Sequence, residues 1–250
     1  MPKGPYLARI RVYPFKGLDP QEVTSARLTP EGALEHDREF ALFDEKGKPV
    51  SGKREKKLFL VRSFVDFERE EFRFRYGQRE YAFSFSQEQA VSEFFSELLG
   101  YRVTLKRGLF PDDRKALGPT VVCRESIKAV ASWFGFSEEE ARRRFRTNLE
   151  LENCPPFYED ALFKKLFSVG KALFRGEGIS RRCPVPARHP ETGEEYPAFR
   201  SLFEKKRRET LPPYSPPEAF KDTFYRFTLN TVTLKPALLR LGDELVLQEP

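Results

Sequence analysis

Residues 72–85 read FRFRYGQREYAFSF, and this stretch decides the class of fold. Its first residues alternate aromatic with basic side chains, which is the period-two pattern of a half-buried strand. Gly77 and Gln78 then favour a tight turn into a second run of the same kind, residues 80–85. The stretch therefore predicts a β-hairpin.

Short strands of this kind are predicted along the whole chain, with few helices between them. The other candidate strands are residues 7–13, 39–43, 58–67, 101–106, 121–122, 148–152, 171–175, 224–234 and 244–247. Helical spacing and capping residues predict helices over 86–99 and 126–133, after Ser137, and over 198–209. Many short strands with a few helices fit a β-barrel or α+β architecture better than alternating βαβ units. The predicted class is α+β, mainly β.

The charge pattern argues against nucleic acid and membrane as partners. Lys and Arg total 44 against 38 Asp and Glu, but the basic clusters at 142–144 and 205–208 adjoin acidic residues. Interspersed signs are typical of a solvated helix face with ion pairs. No stretch approaches the ~18 consecutive apolar residues of a membrane helix. Residues 1–11 lack the pattern of a secretory signal.

The three cysteines differ in their surroundings. An odd and small number argues against a disulfide framework and for a reducing, cytoplasmic location. Cys123 lies in an apolar run and Cys154 precedes two prolines, so both favour a buried structural role. Cys183 follows Arg181 and Arg182, whose guanidinium groups favour the nucleophilic and metal-ligating thiolate. These residues alone leave open whether Cys183 is reactive or inert.

The order of short motifs in the second half resembles the MOSC domain (molybdenum cofactor sulfurase C-terminal). Arg182-Cys183, followed by the HPETGE turn at 189–194, is similar to the family's Arg-Cys pair and Asp-Pro-x-Thr-Gly turn. The FRTN sequence at 145–148 resembles its Phe-Arg-x-Asn element. At Ala187 and His189 the sequence departs from the family pattern.

The first half resembles the β-domain that accompanies MOSC domains. The YPFKG sequence at 13–17 is similar to its Tyr-Pro-Val-Lys-Ser, with Gly17 in place of serine, and Asp37-Arg38 resembles its Asp-Arg strand. The layout is similar to mitochondrial amidoxime reducing components and bacterial MOSC oxidoreductases. The resemblance implies an N-terminal β-barrel-like domain, residues 1–115, packed on a MOSC β-barrel with peripheral helices, residues 116–250.

The resemblance also implies a cofactor site. In this family two sulfurs of a pterin dithiolene and one protein cysteine hold molybdenum, so Cys183 would be both the metal ligand and the catalytic residue. The implied cofactor-binding residues are Lys16, Arg38, Arg146, Asn148 and Arg181. Lys16 and Arg38 would neutralise the pterin phosphate, Lys as a point charge and Arg as a bidentate fork.

The activity implied is that of an oxidoreductase that carries the molybdenum cofactor (Mo-molybdopterin). We expect it to reduce small N-hydroxylated or N-oxide compounds. Its three cysteines form no cluster that could hold iron–sulfur, so a separate electron-donor protein is expected. The alternative is a carrier, which would hold a persulfide on Cys183 or deliver the cofactor to another protein.

Overall fold

The computed structural model describes residues 4–248 of the chain. Residues 1–3 and 249–250 lie outside the described part. The first residues of the predicted N-terminal domain and the last residues of the predicted MOSC domain therefore lie outside it, as do the first residues of the segment 1–11. The described strands are β1 (Tyr6–Val12), β2 (Gln21–Val23), β3 (Ser25–Arg27), β4 (Phe40–Asp44), β5 (Val61–Asp66), β6 (Glu71–Tyr76), β7 (Arg79–Ser84), β8 (Val103–Arg107), β9 (Gly118–Cys123), β10 (Leu149–Glu152), β11 (Leu166–Val169), β12 (Ala172–Arg181), β13 (Arg226–Lys235), β14 (Leu238–Arg240) and β15 (Leu245–Leu247). The α-helices are α1 (Glu88–Leu99), α2 (Arg124–Phe134), α3 (Glu138–Phe145) and α4 (Phe199–Glu209).

Helix α3 shows how local sequence sets the ends of an element. The Ser137 hydroxyl accepts a hydrogen bond from the Glu140 N–H at 3.0 Å and caps the helix, as predicted. The Glu140 carboxylate does not return this bond, because it pairs with Arg144 instead. The helix ends at Phe145, and Arg146 follows in the left-handed conformation with φ 55°. Within residues 4–248, no helix is long and apolar enough to cross a membrane.

Eight strands form the main sheet in the order β15-β11-β12-β13-β9-β10-β1-β2. Neighbouring strands are antiparallel apart from β9 and β10, which run parallel and are joined by α2 and α3. The first strand of the chain thus lies between β10 and β2. The N-terminal segment is therefore built into a sheet whose other long strands come from the second half of the chain.

Backbone hydrogen bonds also link the start of β1 to the segment that enters β15. The Leu7 N–H donates to the Asp243 carbonyl and the Leu245 N–H to the Pro5 carbonyl, each at 2.8 Å. These bonds bring β1 close to the start of β15, so the sheet curves strongly. The sheet is nevertheless not closed, because its strand order ends at β15 and β2. The predicted class, α+β and mainly β, is confirmed, with the implied barrels present as open sheets.

A second core, rich in aromatic side chains, is formed by Phe15 and by residues of β4, β5, β6, α1 and β8. The hairpin predicted at 72–85 is present as β6 and β7, next to β5. The Phe15 ring lies 5.9 Å from that of Phe74 and 5.5 Å from that of Phe95, between ring centroids. Because Phe15 is buried in this core, the backbone of its neighbour Lys16 is fixed at the core's edge.

Two of the three cysteines contradict the expectation of unpaired thiols. Cys123 and Cys154 form a disulfide, with their Cα atoms 6.4 Å apart. Parallel pairing of β9 with β10 places Cys123 opposite Leu151, three residues before Cys154. Both cysteines are buried, as predicted, and within the described residues Cys183 is the free thiol.

Two glycines of β12 offer a matched test of the packing. A Cβ at Gly176 would stand 2.1 Å from the Leu162 carbonyl oxygen, whereas at Gly178 no described atom lies within 4 Å. We expect Gly176→Ala to lower the free energy of unfolding by about 1–3 kcal/mol through overpacking. Gly178→Ala should change it by no more than about 0.5 kcal/mol. Urea denaturation measures both, and equal losses would contradict the close approach.

Candidate functional site

The ring of Tyr13, directly after β1, is the centre of the candidate site. The guanidinium carbons of Arg38 and Arg146 lie 4.5 Å and 4.3 Å from its centroid, within the range of a cation–π contact. Its hydroxyl donates to the Thr147 carbonyl at 3.1 Å. The residue is fully buried, and this burial raises the pKa of Tyr13 above its ordinary value although both arginines oppose the shift. A neutral phenol thus joins two arginines from distant parts of the chain.

Lys16 and Arg38 share one carboxylate, that of Asp112. The Lys16 Nζ donates to Asp112 Oδ1 at 2.6 Å and the Arg38 Nη2 to Asp112 Oδ2 at 3.1 Å. Burial lowers the pKa of Lys16, and the contact with Asp112 offsets this only in part. Neighbouring side chains displace part of the water around Asp112, which acts to raise its pKa, but Arg38 and Lys16 outweigh this and hold the pKa well below its usual range. Asp112 is therefore ionised and lies on a cationic surface.

The Asp37 carboxylate is held much more firmly than that of Asp112. Asp37 accepts hydrogen bonds from the Arg38 Nη1, from the Tyr13 N–H at 2.8 Å and from the Asn148 Nδ2 at 3.1 Å. Its side chain is 14 % exposed, against 62 % for Asp112. Asp37 is thus a fixed partner of Arg38, whereas Asp112 faces solvent.

The amide of Asn148 uses all of its hydrogen-bonding capacity inside the protein. Its Nδ2 donates to the Arg11 carbonyl and to Asp37, at 3.0 Å and 3.1 Å. Its Oδ1 accepts from the backbone N–H and the hydroxyl of Thr120, at 3.2 Å and 3.1 Å. An amide offers two donors and two acceptor positions, so Asn148 positions the segments around the site.

Arg146 reaches the site because of the left-handed backbone that ends α3. Its Nη1 donates to the Leu18 carbonyl at 2.7 Å. Burial lowers the pKa of Arg146, and the nearby charge of Arg38 acts in the same direction. Two guanidinium groups therefore stand close together around one tyrosine, an arrangement that anions stabilise.

Cys183 follows the end of β12 as a half-buried free thiol. Tyr225 fixes the backbone around it, because its hydroxyl donates to the Cys183 carbonyl at 3.2 Å and its carbonyl accepts from the Arg182 N–H at 2.9 Å. In residues 4–248, no group of three or more His, Cys, Asp or Glu side chains is arranged to hold a metal ion.

Arg182 is the more buried of the two arginines that precede Cys183. Arg181, the predicted cofactor ligand, is 62 % exposed and pairs with Asp222 at 3.6 Å, so it lies apart from the cluster. Arg182 donates to the Phe145 carbonyl at 2.6 Å, and its buried Nε has no partner among the described residues. Burial lowers the pKa of Arg182, while Cys183 and more weakly Asp112 act to raise it. Strand alternation is the signal that could have separated the two arginines.

A small cleft of about 20 Å³ opens beside Arg146. Asp19 on its wall accepts hydrogen bonds from Arg62 at 3.0 Å and from Arg143 at 3.2 Å. Cys183 is not among the residues that line the cleft. The cleft therefore adjoins the site at Arg146 and is not lined by the thiol.

The comparison with known families covers both halves of this arrangement. Residues 4–96 match the MOSC N-terminal beta barrel domain, and residues 112–246 match the MOSC domain. The chain belongs to the MOSC family. Lys16 and Arg38 lie in the first matched region, and Arg146, Asn148 and Cys183 lie in the second. The candidate site of this MOSC protein is thus assembled from both regions.

Individual proteins add little to the family match. No protein of curated function matches the chain significantly. A crystal structure described as that of a hypothetical protein is 12 % identical, with 98 % of this chain and 70 % of that chain covered and a TM-score of 0.43. The YUAD protein from Bacillus subtilis is 12 % identical over 96 % and 95 % of the chains, with a TM-score of 0.43. YiiM from Geobacillus stearothermophilus is 14 % identical over 53 % and 54 %, with a TM-score of 0.34.

The role of Asn148 can be tested against that of Arg181. We expect Asn148→Ala to lower the free energy of unfolding by about 2–4 kcal/mol, because it leaves several buried partners without a hydrogen bond. Arg181→Ala should change stability by no more than about 0.5 kcal/mol, since its ion pair is exposed. Guanidinium denaturation of the two variants measures this. A fully stable Asn148→Ala protein would contradict the positioning role.

Proposed function

We propose that this MOSC protein is an oxidoreductase that carries the molybdenum cofactor and reduces N-hydroxylated or N-oxide compounds. The MOSC family is linked to molybdenum cofactor enzymes and to sulfur carriers. One observation carries the choice: Arg182, which directly precedes the free thiol of Cys183, donates at 2.6 Å to the carbonyl of Phe145, the residue before Arg146 of the cationic cluster. A soft metal ligand and an anion site thus lie on segments that contact each other.

The charges of the cluster fit a phosphate-bearing cofactor. Three cationic side chains converge, those of Lys16, Arg38 and Arg146, and Arg182 adjoins them through its bond to the Phe145 carbonyl. The carboxylates of Asp37 and Asp112 offset part of this charge. A cationic site of this kind suits a phosphate monoester, which carries about −1.5 to −2 charges at neutral pH. The unpartnered Nε of Arg182 is a further donor for an anionic ligand.

Each part of the site would have a distinct task. Cys183 would supply the thiolate ligand, since soft sulfur ligands suit redox-active metals. Lys16 and Arg38 would hold the phosphate, Arg146 would hydrogen-bond along the pterin, and Asn148 would keep these segments in register. The bound cofactor supplies two-electron oxygen-atom transfer, chemistry that side chains do not provide.

The two matched regions would act as one unit in this proposal. We propose a division into residues 1–115 and 116–250, with the cofactor at the junction. Lys16 and Arg38 come from the first part and Cys183 from the second, so neither part alone holds the complete set. Electrons would come from a separate donor protein, because the single free cysteine within the described residues cannot hold an iron–sulfur cluster.

A sulfur carrier is the second candidate, and the same thiol favours it. Cys123 and Cys154 are joined in a disulfide. Cys183 is therefore the cysteine, within the described residues, that can hold a persulfide. Such a protein would carry sulfur on Cys183 without reductase turnover. Intact-mass measurement of an added sulfur atom separates the two candidates.

Molybdenum content tests the proposal directly. Wild-type protein from a cofactor-producing host should contain near-stoichiometric molybdenum by elemental mass spectrometry. Cys183→Ser should lower this content by at least about tenfold, because even indirect partners of metal ligands are worth about 10–100-fold in affinity. Lys205→Ala, a change at an exposed position of α4, is the control and should retain the metal.

Two outcomes would count against the oxidoreductase. Folded wild-type protein without molybdenum, from a host that supplies the cofactor to other proteins, would contradict it. Equal molybdenum in the wild type and in Cys183→Ser would contradict the assigned ligand. A sulfur adduct on Cys183 in the absence of molybdenum would establish the carrier instead.

A further inference from the structure

Asp112 lies where an anionic ligand would bind. Its two carboxylate oxygens take one hydrogen bond each from Lys16 and Arg38, the two residues proposed to hold a phosphate. We infer that Asp112 is a displaceable internal anion: its carboxylate occupies the phosphate position and leaves it when a phosphate-bearing ligand binds. This inference rests on the proposed anion site and adds a residue that sets the affinity of that site.

The contrast with Asp37 identifies Asp112 as the carboxylate that can leave. Asp37 is held by Arg38, the Tyr13 N–H and Asn148 in a nearly buried position. The Asp112 side chain makes only its two contacts with Lys16 and Arg38 among the described residues, and more than half of it is exposed. Its departure therefore opens the position to solvent without breaking the core.

Departure of the Asp112 carboxylate is unfavourable when no other anion takes its place. Arg38 and Lys16 keep Asp112 ionised, and the pKa shift of its carboxyl reflects their attraction. An empty position would leave Arg38 and Lys16 with one negative partner fewer, next to Arg146. A phosphate offers more charge and more acceptor oxygens than one carboxylate, so it can take over both contacts.

The chain is anchored on both sides of Asp112. The Phe110 N–H donates to the Arg38 carbonyl at 3.0 Å, and Lys16 also donates to the carbonyls of Phe110 and Pro111, at 2.9 Å and 3.2 Å. After Asp112, the contacts up to β9 include a turn held by Asp113. Movement of Asp112 would therefore be confined to the short segment between Pro111 and β9.

The neighbouring Asp113 provides a matched control. Its carboxylate accepts from the Lys115 N–H at 2.9 Å and from the Asn230 Nδ2 at 3.3 Å, and it makes no described ion pair. Asp113→Asn removes the same charge one residue away from the site. If the loss of one negative charge alone raises the affinity, both variants will show the gain. If the Asp112 carboxylate occupies the site, only Asp112→Asn will show it.

The test uses the full-length, metal-free chain and inorganic pyrophosphate as the probe. Isothermal titration calorimetry at fixed ionic strength compares the wild type, Asp112→Asn and Asp113→Asn. We expect Asp112→Asn to bind at least about tenfold more tightly than the wild type, the scale of one charge-assisted hydrogen bond. Asp113→Asn should stay within about twofold. Lys16→Ala should lose binding, which places the probe at this site.

Hydrogen exchange of the wild type gives a readout that needs no variant. Backbone amides of residues 112–117 should exchange faster when pyrophosphate is bound, because the Asp112 contacts are then broken. Pyrophosphate binding with unchanged exchange, or an Asp112→Asn affinity no higher than that of Asp113→Asn, would overturn the inference. Absence of binding in all variants would overturn it together with the anion site, whereas the molybdenum measurement tests the thiol separately.

Discussion

The site depends on the burial of several positive charges close together, and these charges need compensating partners. Tyr13 is the residue around which these partners are arranged. Its N–H donates to Asp37, its carbonyl accepts from the Arg38 N–H, and its hydroxyl donates to the Thr147 carbonyl. Its ring contacts the guanidinium groups of Arg38 and Arg146. Ring and carboxylate together compensate for water lost from the arginines. One residue thereby joins segments that are more than one hundred positions apart.

Both arginines at this ring stand on a left-handed backbone. Arg38 has φ 54° and Arg146 φ 55°, a region in which residues other than glycine cost about 1–2 kcal/mol each. Helix ends such as that of α3 commonly use glycine at a left-handed position. Glycine would relieve the backbone but remove the charge. Two such residues in one cluster indicate that the positions of the cations outweigh local stability, as is common at functional sites.

Sequence patterns predict features that depend on neighbouring residues. They do not predict features that depend on pairing between distant segments. The hairpin at 72–85 is correct because alternation and turn lie within fourteen residues. Arg181 and Arg182 look alike in the sequence, but Arg181 at the end of β12 pairs with Asp222, whereas Arg182 donates to the Phe145 carbonyl. The disulfide of Cys123 with Cys154 has no local signal, since the parallel pairing of β9 with β10 creates it. Both features depend on contacts that the sheet sets between distant segments.

The position of β1 in the main sheet has a consequence for the order of events during synthesis. Leu7 and Ile10 are fully buried, and besides the nearby β2 the partners of this strand are β10 and the carbonyl of Asp243, which come much later in the chain. Contacts of such long sequence separation form late, because a large loop must close first. The aromatic core around Phe15 draws on residues up to β8 and can form much earlier on the ribosome. The first strand to leave the ribosome can thus pair early with β2 alone, and it gains β10 and the segment around Asp243 as partners only late in translation, together with the site that follows it.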